Sequence, residues 1–496
     1  MKNFVKQNLL LISGIVLSLF VIFVTGFFLL KEKEPVSTEV DESYCVTDET
    51  ETQLEDDSQT ETETETVTEI VTEVIEPTEV EIDKESETTT EEETTVVEKT
   101  YYLPVVSIET ENKQPITEKD KKISGKFSLN YKGVNGYQDI DAASMTIKGR
   151  GHSTWKLAKK PYKIKFDDKV SLFGLTAARE WVLLANHADK SLIRNKLAMD
   201  IGNVLDNVPF SPHAFYVDVY VNGEYMGVYT LIEQIEVAEG RIEGEKDSIN
   251  VDTDYLLELG GEEEQTSFGT NIVHSLLYVY IEIKNPDSDV ITKEQYDYVR
   301  NYVIEADRAV KELDGYEEYI DVPSLIDWFL LNELSYNIDG TFRRSDYMLK
   351  QKGGKLYMAT YWDYDYAFGN FWRDSQDFDE WICLGNENTA EDEYIKDNWI
   401  TFLLKDPEFR SQLKQRWSEV GPEIYQVAME TIEDAQQNVS PSADKNFERW
   451  PGIQGKKIQY ENKKCAKIAT YDGQLKYLRD FVKKRYEWMD KTIKAM

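Results

Sequence analysis

The stretch Tyr347–Asn370 reads YMLKQKGGKLYMATYWDYDYAFGN and joins a hairpin pattern to a pair of acids. Two short strand-like runs flank Gly353-Gly354, a dipeptide that suits a tight turn between antiparallel strands. Asp363 and Asp365 follow one residue apart, so a regular strand would place both carboxylates on one face. Gly369 then lets the backbone turn tightly away. The stretch therefore predicts a β-hairpin that ends in two aligned acids.

A second group of polar residues lies just upstream, in LNELSYNIDGTFRRSDYMLK. It contains Asn337, Asp339, Arg343, Arg344 and Asp346. The hairpin would bring the two groups together, and facing carboxylates repel one another unless a cation neutralises them. Their oxygens suit Mg²⁺, Mn²⁺ or Ca²⁺, with one acid left to act as a base. A lone Asp is better explained as a turn cap, but for the whole cluster a metal site is favoured.

The N-terminus carries a segment of membrane-spanning length. After a short tail, residues 1–7, the run at 8–30 is uncharged and apolar, long enough to cross about 30 Å of hydrocarbon as a helix. A signal peptide is the alternative, but no Ala-x-Ala-like cleavage site follows the run. We therefore predict an uncleaved, single-pass anchor in the cell membrane.

Residues 31–100 form a Thr/Glu-rich tract with 26 acidic and 4 basic residues. Such a tract cannot bury enough apolar surface to offset its chain entropy, so we expect a disordered stalk extended by self-repulsion. Stalks of this kind commonly stand outside the cell. We expect the C-terminal domain to be extracellular, with an intracellular domain as the open alternative.

Charge and cysteine content exclude several classes of protein. The chain has a net charge of −37 and stays acidic after the stalk, which makes nucleic acid an unfavourable partner. The three cysteines include no Cys-x-x-Cys pair, so neither a zinc ribbon nor a disulfide framework is indicated. At most, Cys383 and Cys465 could pair. The four histidines show no metal-ligand spacing.

The remaining chain changes character at about residue 285. Residues 101–285 contain mostly strand-like runs, including a predicted hairpin with Asn222-Gly223 at its turn. Residues 286–496 contain apolar helical stripes. The sequence therefore predicts an α+β protein with a strand-rich N-lobe and a helix-rich C-lobe.

Six ordered blocks resemble the CotH-type kinases, a family with an atypical protein-kinase-like, two-lobed fold that is named for a bacterial spore-coat protein. The blocks are IKGRGHSTW, KKPYKIKF, WVLLANHADKSLIRNKLA, GEYMGVYTLIEQI, NELSYNIDG and YWDYDYAFGN. The resemblance covers roughly residues 144–369, with weaker similarity in the C-terminal helices. It implies ATP and Mg²⁺ or Mn²⁺ as cofactors.

The resemblance also implies roles for individual residues. The loop Gly149–Thr154, which includes Arg150, would cover the nucleotide phosphates. The lysine that holds them would be Lys163 or Lys165, with Lys160 as a further candidate. The segment Leu231–Ile235, which includes Glu233, would be the hinge that meets adenine.

The acids receive the remaining roles. Asp339 would be the catalytic base that orients the attacking hydroxyl, and Asp363 and Asp365 would bind metal. Arg344 stands where ordinary kinases have a second metal ligand, a role that Asp346 could take instead. Arg150, Asp189, Arg194 and Asn195 could be catalytic or structural.

Two functions of different classes remain open. The first is a membrane-tethered enzyme that transfers the γ-phosphate of ATP to Ser or Thr of a protein, with a basic, Ser-rich protein as the expected substrate. The second is a non-catalytic surface module that binds a protein or a cell-wall glycan. ATP is scarce outside cells, which favours the second. The acids at 339, 363 and 365 favour the first, because a binding module has no physical need for them.

Overall fold

The computed structural model describes residues 103–260, 268–270, 279–338, 340–371, 379–384 and 398–496. The described part contains both sheets and helices, which confirms the α+β class. No helix within these ranges is both long and apolar enough to cross a membrane. The predicted anchor at 8–30 and the predicted stalk at 31–100 lie outside the described residues.

The first sheet is a closed barrel of seven strands in the order β1-β2-β3-β4-β5-β7-β6. The strands are β1 (Val105–Thr110), β2 (Ile123–Asn130), β3 (Ile140–Gly149), β4 (Tyr162–Val170), β5 (Ala178–Leu184), β6 (Ala214–Val221) and β7 (Glu224–Glu233). Neighbours are antiparallel except β1 and β6, which pair in parallel and close the barrel. Alternate residues such as Ile147, Ile164 and Phe166 fill its interior, as the period of two along a strand requires.

The second sheet has five strands in the order β12-β11-β8-β10-β9. Its strands are β8 (Tyr255–Leu259), β9 (Phe268–Thr270), β10 (Val279–Asn285), β11 (Tyr347–Lys350) and β12 (Leu356–Thr360). β8 pairs with both β10 and β11, so the sheet joins strands from both sides of residue 285. The division into lobes at that residue stays a prediction.

Nine helices follow or interrupt the strands within the described ranges. They are α1 (Ser153–Lys156), α2 (Arg194–Gly202), α3 (Lys293–Glu312), α4 (Val322–Ser335), α5 (Trp399–Leu403), α6 (Pro407–Asn438), α7 (Ser440–Arg449), α8 (Lys463–Lys467) and α9 (Tyr471–Ala495). α3 starts with a capping box between Thr292 and Gln295, and the side chain of Asp321 caps α4. α4 is buried along nearly its whole length and belongs to the main core, which also contains Trp399 and Trp417.

Both predicted hairpins are confirmed. β6 and β7 turn at Asn222-Gly223, and β11 and β12 turn at Gly353-Gly354. The strand expected to carry Asp363 and Asp365 is wrong, because β12 ends at Thr360. The two acids lie in the following loop, where Asp363 has a left-handed backbone with φ of 66°.

The one cysteine pair that the sequence left possible does not form in this structure. Cys383 and Cys465 are both buried, and neither forms a disulfide within the described residues. Burial raises the pKa of the Cys383 thiol well above its usual range, so it behaves as a small apolar side chain rather than as a nucleophile.

Candidate functional site

A cavity of about 740 Å³ lies between the barrel and the second sheet. Its wall combines residues from the loop after β3, from β4 and from the segments that follow β5 and β7. The second sheet adds Glu258 and Glu282, and the loop after β12 adds Asp363 and Asp365. Residues that lie far apart in the sequence therefore meet at one site: they come from the barrel, from the second sheet and from the loop after β12.

The predicted phosphate loop lies in the wall along its whole length, Gly149–Thr154. Two of its positions require glycine. A Cβ on Gly149 would come within 2.3 Å of the Trp155 ring, and Gly151 has a φ of +83°. The backbone N–H of Arg150 donates to the carbonyl of Pro161, 3.3 Å away, and so ties the loop to the start of β4. At these two glycines the main chain lines the cavity where a side chain would clash or strain the backbone.

Lys163 on β4 lines the same cavity and pairs with Glu180 on β5. Its Nζ lies 2.5 Å from one carboxylate oxygen, and the Nζ of the more exposed Lys165 lies 2.9 Å from the other. Burial alone would raise the pKa of Glu180, but the charge of Lys163 and hydrogen bonds from both lysines lower it to about 2. The carboxylate is therefore ionised at neutral pH and holds Lys163 in place.

The side chain of Arg150 packs over Trp362, with 5.1 Å between the guanidinium carbon and the ring centroid. Burial lowers its pKa, and the negative charge of Asp363 opposes that shift. Arginine keeps its charge at neutral pH in either case. Arg150 therefore places a fixed positive charge between the loop and the two acids.

Asp363 is exposed and Asp365 is buried, and both line the cavity. Ser345, which precedes β11, also lies in the wall, and its Oγ is 3.3 Å from Oδ2 of Asp363. The left-handed backbone at Asp363 is an uncommon conformation that a short polar side chain tolerates, and such conformations concentrate at functional sites.

The loop that carries these acids is anchored from α2. Asn195 accepts a hydrogen bond from the backbone N–H of Tyr364 at 2.8 Å. The guanidinium of Arg194 donates to the carbonyl of Ala367 at 3.1 Å and to that of Phe368 at 3.4 Å.

The guanidinium of Arg194 is itself held by Asp189. The two side chains form a fully buried ion pair. The second carboxylate oxygen of Asp189 accepts a hydrogen bond from the backbone N–H of Arg194 at 2.8 Å. These contacts support the structural role among the two that the sequence left open for Arg194. Asn195 both anchors the loop and lines the cavity.

Four predicted site residues are not among those that line the cavity. Lys160 donates to the carbonyl of Trp155, and Lys165 lies beyond Lys163 on β4. The carboxylate of the buried Glu233 pairs with Arg241 and accepts from the N–H and Nδ1 of His213.

Asp346, the fourth of these residues, is buried, and its Oδ1 accepts from Nε1 of Trp328 at 3.2 Å. The ligand-binding roles of Lys160, Lys165, Glu233 and Asp346 stay predictions that this geometry does not support. Two other residues of the predicted hinge, Gln234 and Ile235, do line the cavity.

Asp339, the predicted base, lies outside the described residues. Its neighbours are well anchored: Oδ1 of Asn337 accepts from the N–H of Gly340, and Nδ2 of Asn337 donates to Asn332. The role of Asp339 stays a prediction.

The donor set of the cavity fits a hard divalent cation. Asp363, Asp365 and Ser345 offer only oxygen, and Mg²⁺ is commonly held by one or two carboxylates, with phosphate oxygens and water completing the octahedron. Within the described ranges, no group of three or more His, Cys, Asp or Glu side chains is placed to share an ion. Asp346 is thus not grouped with the other two acids, and two carboxylates remain as the candidate ligands.

Sequence reasoning missed several cavity residues. Glu180, which pairs with the cavity-lining Lys163, lies within β5 and was not predicted. The EWVLL run, Glu180–Leu184, was the available signal, since it is rich in β-formers. Glu258, Glu282 and Lys284 were missed as well. Burial alone would lower the pKa of Lys284, but the two glutamates have the larger effect and raise this pKa.

Comparison with known proteins fits this arrangement. The family model described as CotH kinase protein matches residues 147–489, more than half of the chain, so the chain belongs to this family. The inner spore coat protein H of Bacillus subtilis (strain 168) is 25% identical over 283 residues, which are 56% of this chain and 69% of that protein. The matched range includes the phosphate loop, Lys163 and both cavity acids.

Proposed function

We propose that this chain is a membrane-tethered protein kinase of the CotH family that transfers the γ-phosphate of ATP to Ser or Thr of a protein. The observation that carries the proposal is the convergence at one cavity of a glycine-dependent loop, an ion-paired lysine and two acids. Each part supplies something that phosphoryl transfer needs: backbone approach, positive charge, and oxygen ligands for a divalent ion.

The proposal includes a two-lobed, kinase-like arrangement of the fold. The barrel and its loop would form the nucleotide-covering part, and Gln234 and Ile235 would meet the base of the nucleotide. The segments that follow α4 and β12 would carry the acids. The second sheet would form the floor, with Glu258 and Glu282 beside the acceptor site.

The chain's own residues have distinct tasks in the transfer. Lys163, held by Glu180, and the loop Gly149–Thr154 bind and orient the phosphates. Asp339 accepts the proton of the acceptor hydroxyl. The hydroxyl oxygen forms the new bond to the γ-phosphorus, the bond from that phosphorus to its bridging oxygen breaks, and ADP leaves.

Asp363 and Asp365 would hold Mg²⁺ or Mn²⁺, which when bound neutralises phosphate charge. Arg150 would add a fixed charge from the barrel side. The chain as a whole is acidic, with a net charge of −37, which is why we propose a basic, Ser-rich protein as the substrate and not nucleic acid.

The membrane part of the proposal rests on residues 8–30 and 31–100 of the sequence. A span followed by an acidic stalk would hold the catalytic domain away from the bilayer, on the outer face in our proposal. Protease accessibility of the C-terminal domain in intact cells tests this: cleavage is expected, and full protection would place the domain inside.

Transfer of label from γ-labelled ATP to a basic, Ser-rich protein, with Mg²⁺ or Mn²⁺ present, tests the activity. We expect the wild-type chain to label the protein and Asp339→Asn to lose nearly all of this activity while it still binds ATP. Full activity in Asp339→Asn would remove it as the base. If the wild type transferred no label and bound no ATP, the non-catalytic binding module would be favoured instead.

A further inference from the structure

His187 lies in the cavity wall just after β5, in a position that neither the resemblance nor the comparisons assign to binding. Its Nδ1 accepts a hydrogen bond from the backbone N–H of Lys159 at 3.3 Å. Within the described residues its ring makes no other hydrogen bond, and Nε2 is not among the fully buried polar atoms without a partner. The Nε2 edge of the ring is therefore reachable by a ligand.

The charge of His187 is set by its surroundings. Burial, together with the positive charges of Lys159 and Lys160, lowers the pKa of His187 to about 4. The ring is therefore neutral at pH 7. A neutral imidazole that accepts at Nδ1 carries its proton on Nε2, so the accessible edge of the ring is a donor.

Lys159 keeps this arrangement rigid. Its side chain is fully buried, and its Nζ donates to the carbonyl of Val228 and to Oδ1 of Asn446 on α7, 2.8 Å away. The same Oδ1 accepts from the N–H of Val228 at 3.1 Å. Lys159 lines the cavity, but its amine is bonded to Val228 and Asn446, which do not, while its backbone N–H fixes the orientation of the His187 ring. Lys159 therefore acts on His187 as a positioning residue.

We propose that Nε2–H of His187 donates a hydrogen bond to a phosphate oxygen of the ligand in this cavity. That the ligand is a nucleotide rests on the proposed function, whereas the donor role needs only an anion. The loop Gly149–Thr154 and Lys163 line the same cavity, so an anionic group is already favoured there. A neutral donor adds direction to this site without a further cation beside Lys159 and Lys160.

The test compares His187→Gln with His187→Met in the full chain. A glutamine amide can still donate from the end of the side chain, whereas methionine has a similar size and no donor. Calorimetry would give the affinities for ATP, tripolyphosphate and adenosine. We expect His187→Met to weaken the binding of ATP and tripolyphosphate by about tenfold and His187→Gln by less than about threefold, with adenosine binding unchanged in both.

His213→Met is the matched control, because this histidine is half-exposed and does not line the cavity. Wild-type affinity for tripolyphosphate in His187→Met would overturn the proposal, as would a wild type that binds neither ATP nor tripolyphosphate. Nitrogen-15 NMR of the wild-type imidazole gives a readout that needs no variant. It should show the Nε2–H tautomer and a shift of this resonance when tripolyphosphate is added, and the Nδ1–H tautomer would overturn the proposal.

The two proposals fail separately. A wild type that binds ATP through His187 but transfers no phosphate refutes the kinase and leaves the donor role in place. A wild type that transfers phosphate, with unchanged ATP and tripolyphosphate affinity in His187→Met, refutes only the donor role.

Discussion

Nζ of Lys163 lies 2.5 Å from the carboxylate of Glu180, and the two residues stand diagonally across the paired strands β4 and β5. Lys165, directly opposite Glu180 in the register, shares the same carboxylate. One acid therefore holds two lysines on one face of β4, but only Lys163 lines the cavity. The two lysines, equivalent by sequence pattern, are distinguished by their position along the strand.

The first prediction separates these lysines. Lys163→Met should weaken ATP binding by about tenfold or more, because it removes a charged donor from the cavity. Lys165→Met should change it by less than about threefold, since Lys165 is half-exposed and does not line the wall. Calorimetric titration with ATP checks both. Equal losses of ATP affinity in the two variants would show that lining the cavity does not determine which lysine binds ATP.

The second prediction concerns acid stability. The pKa of Glu180 falls to about 2 in the folded protein, below its ordinary value of 4.5, so the unfolded chain binds this proton more readily. Its contribution to the free energy of unfolding is complete above about pH 4.5 and is lost as the pH falls towards 2. Denaturation of wild type and Glu180→Gln at pH 7 and pH 3 checks this. The difference between the two should shrink by on the order of 2 kcal/mol at the lower pH, and a constant difference would contradict the assigned pKa.

The third prediction concerns the metal. Asp363→Asn and Asp365→Asn should each weaken Mn²⁺ binding in the presence of ADP by about tenfold or more, because two carboxylates provide the protein's charged ligands. Asp346→Asn should leave Mn²⁺ affinity nearly unchanged, because Asp346 bonds to Trp328 away from the wall. Electron paramagnetic resonance of free and bound Mn²⁺ measures this. A large loss in Asp346→Asn would restore its predicted role as a ligand.

The fourth prediction concerns the buried pair beneath the acid loop. Arg194→Ala leaves Asp189 buried without its partner and removes the bonds to Ala367 and Phe368, so it should lower the free energy of unfolding by about 3–5 kcal/mol. Urea denaturation measures the loss. The matched control is Arg308→Ala on the exposed face of α3, where the pairs with Glu305 and Glu312 should contribute less than about 1 kcal/mol. Similar losses in the two variants would contradict a structural role for the buried pair.

Local chemistry explains which elements could be predicted from the sequence. The hairpins at Asn222-Gly223 and Gly353-Gly354 follow from turn residues between alternating runs, and α4 follows from a continuous apolar pattern behind Asp321. Strand β5 was not separated from the following helix pattern, because its apolar run ends at Leu184, shortly before α2 begins at Arg194.

The residues of the candidate site likewise include some that the sequence predicted and some that it did not. The phosphate loop, Lys163, Asp363 and Asp365 were predicted from ordered motifs and meet at the cavity. Glu180 and His187 were not predicted, because their partners lie on other strands and loops. Glu233 lies beside the cavity-lining Gln234 in sequence, yet its carboxylate bonds to Arg241.

By itself, the sequence determined the α+β class, the two hairpins, the apolar N-terminal run and the family to which the chain belongs. These depend on residue order, turn chemistry and hydrophobic period, all of which act over short distances along the chain. Only the tertiary structure decided that β1 pairs with β6, that Lys163 but not Lys165 lines the cavity, and that Lys159 is buried against Asn446. Such contacts join residues up to 287 positions apart, and no local pattern specifies which distant side chain will neutralise or bury a given charge.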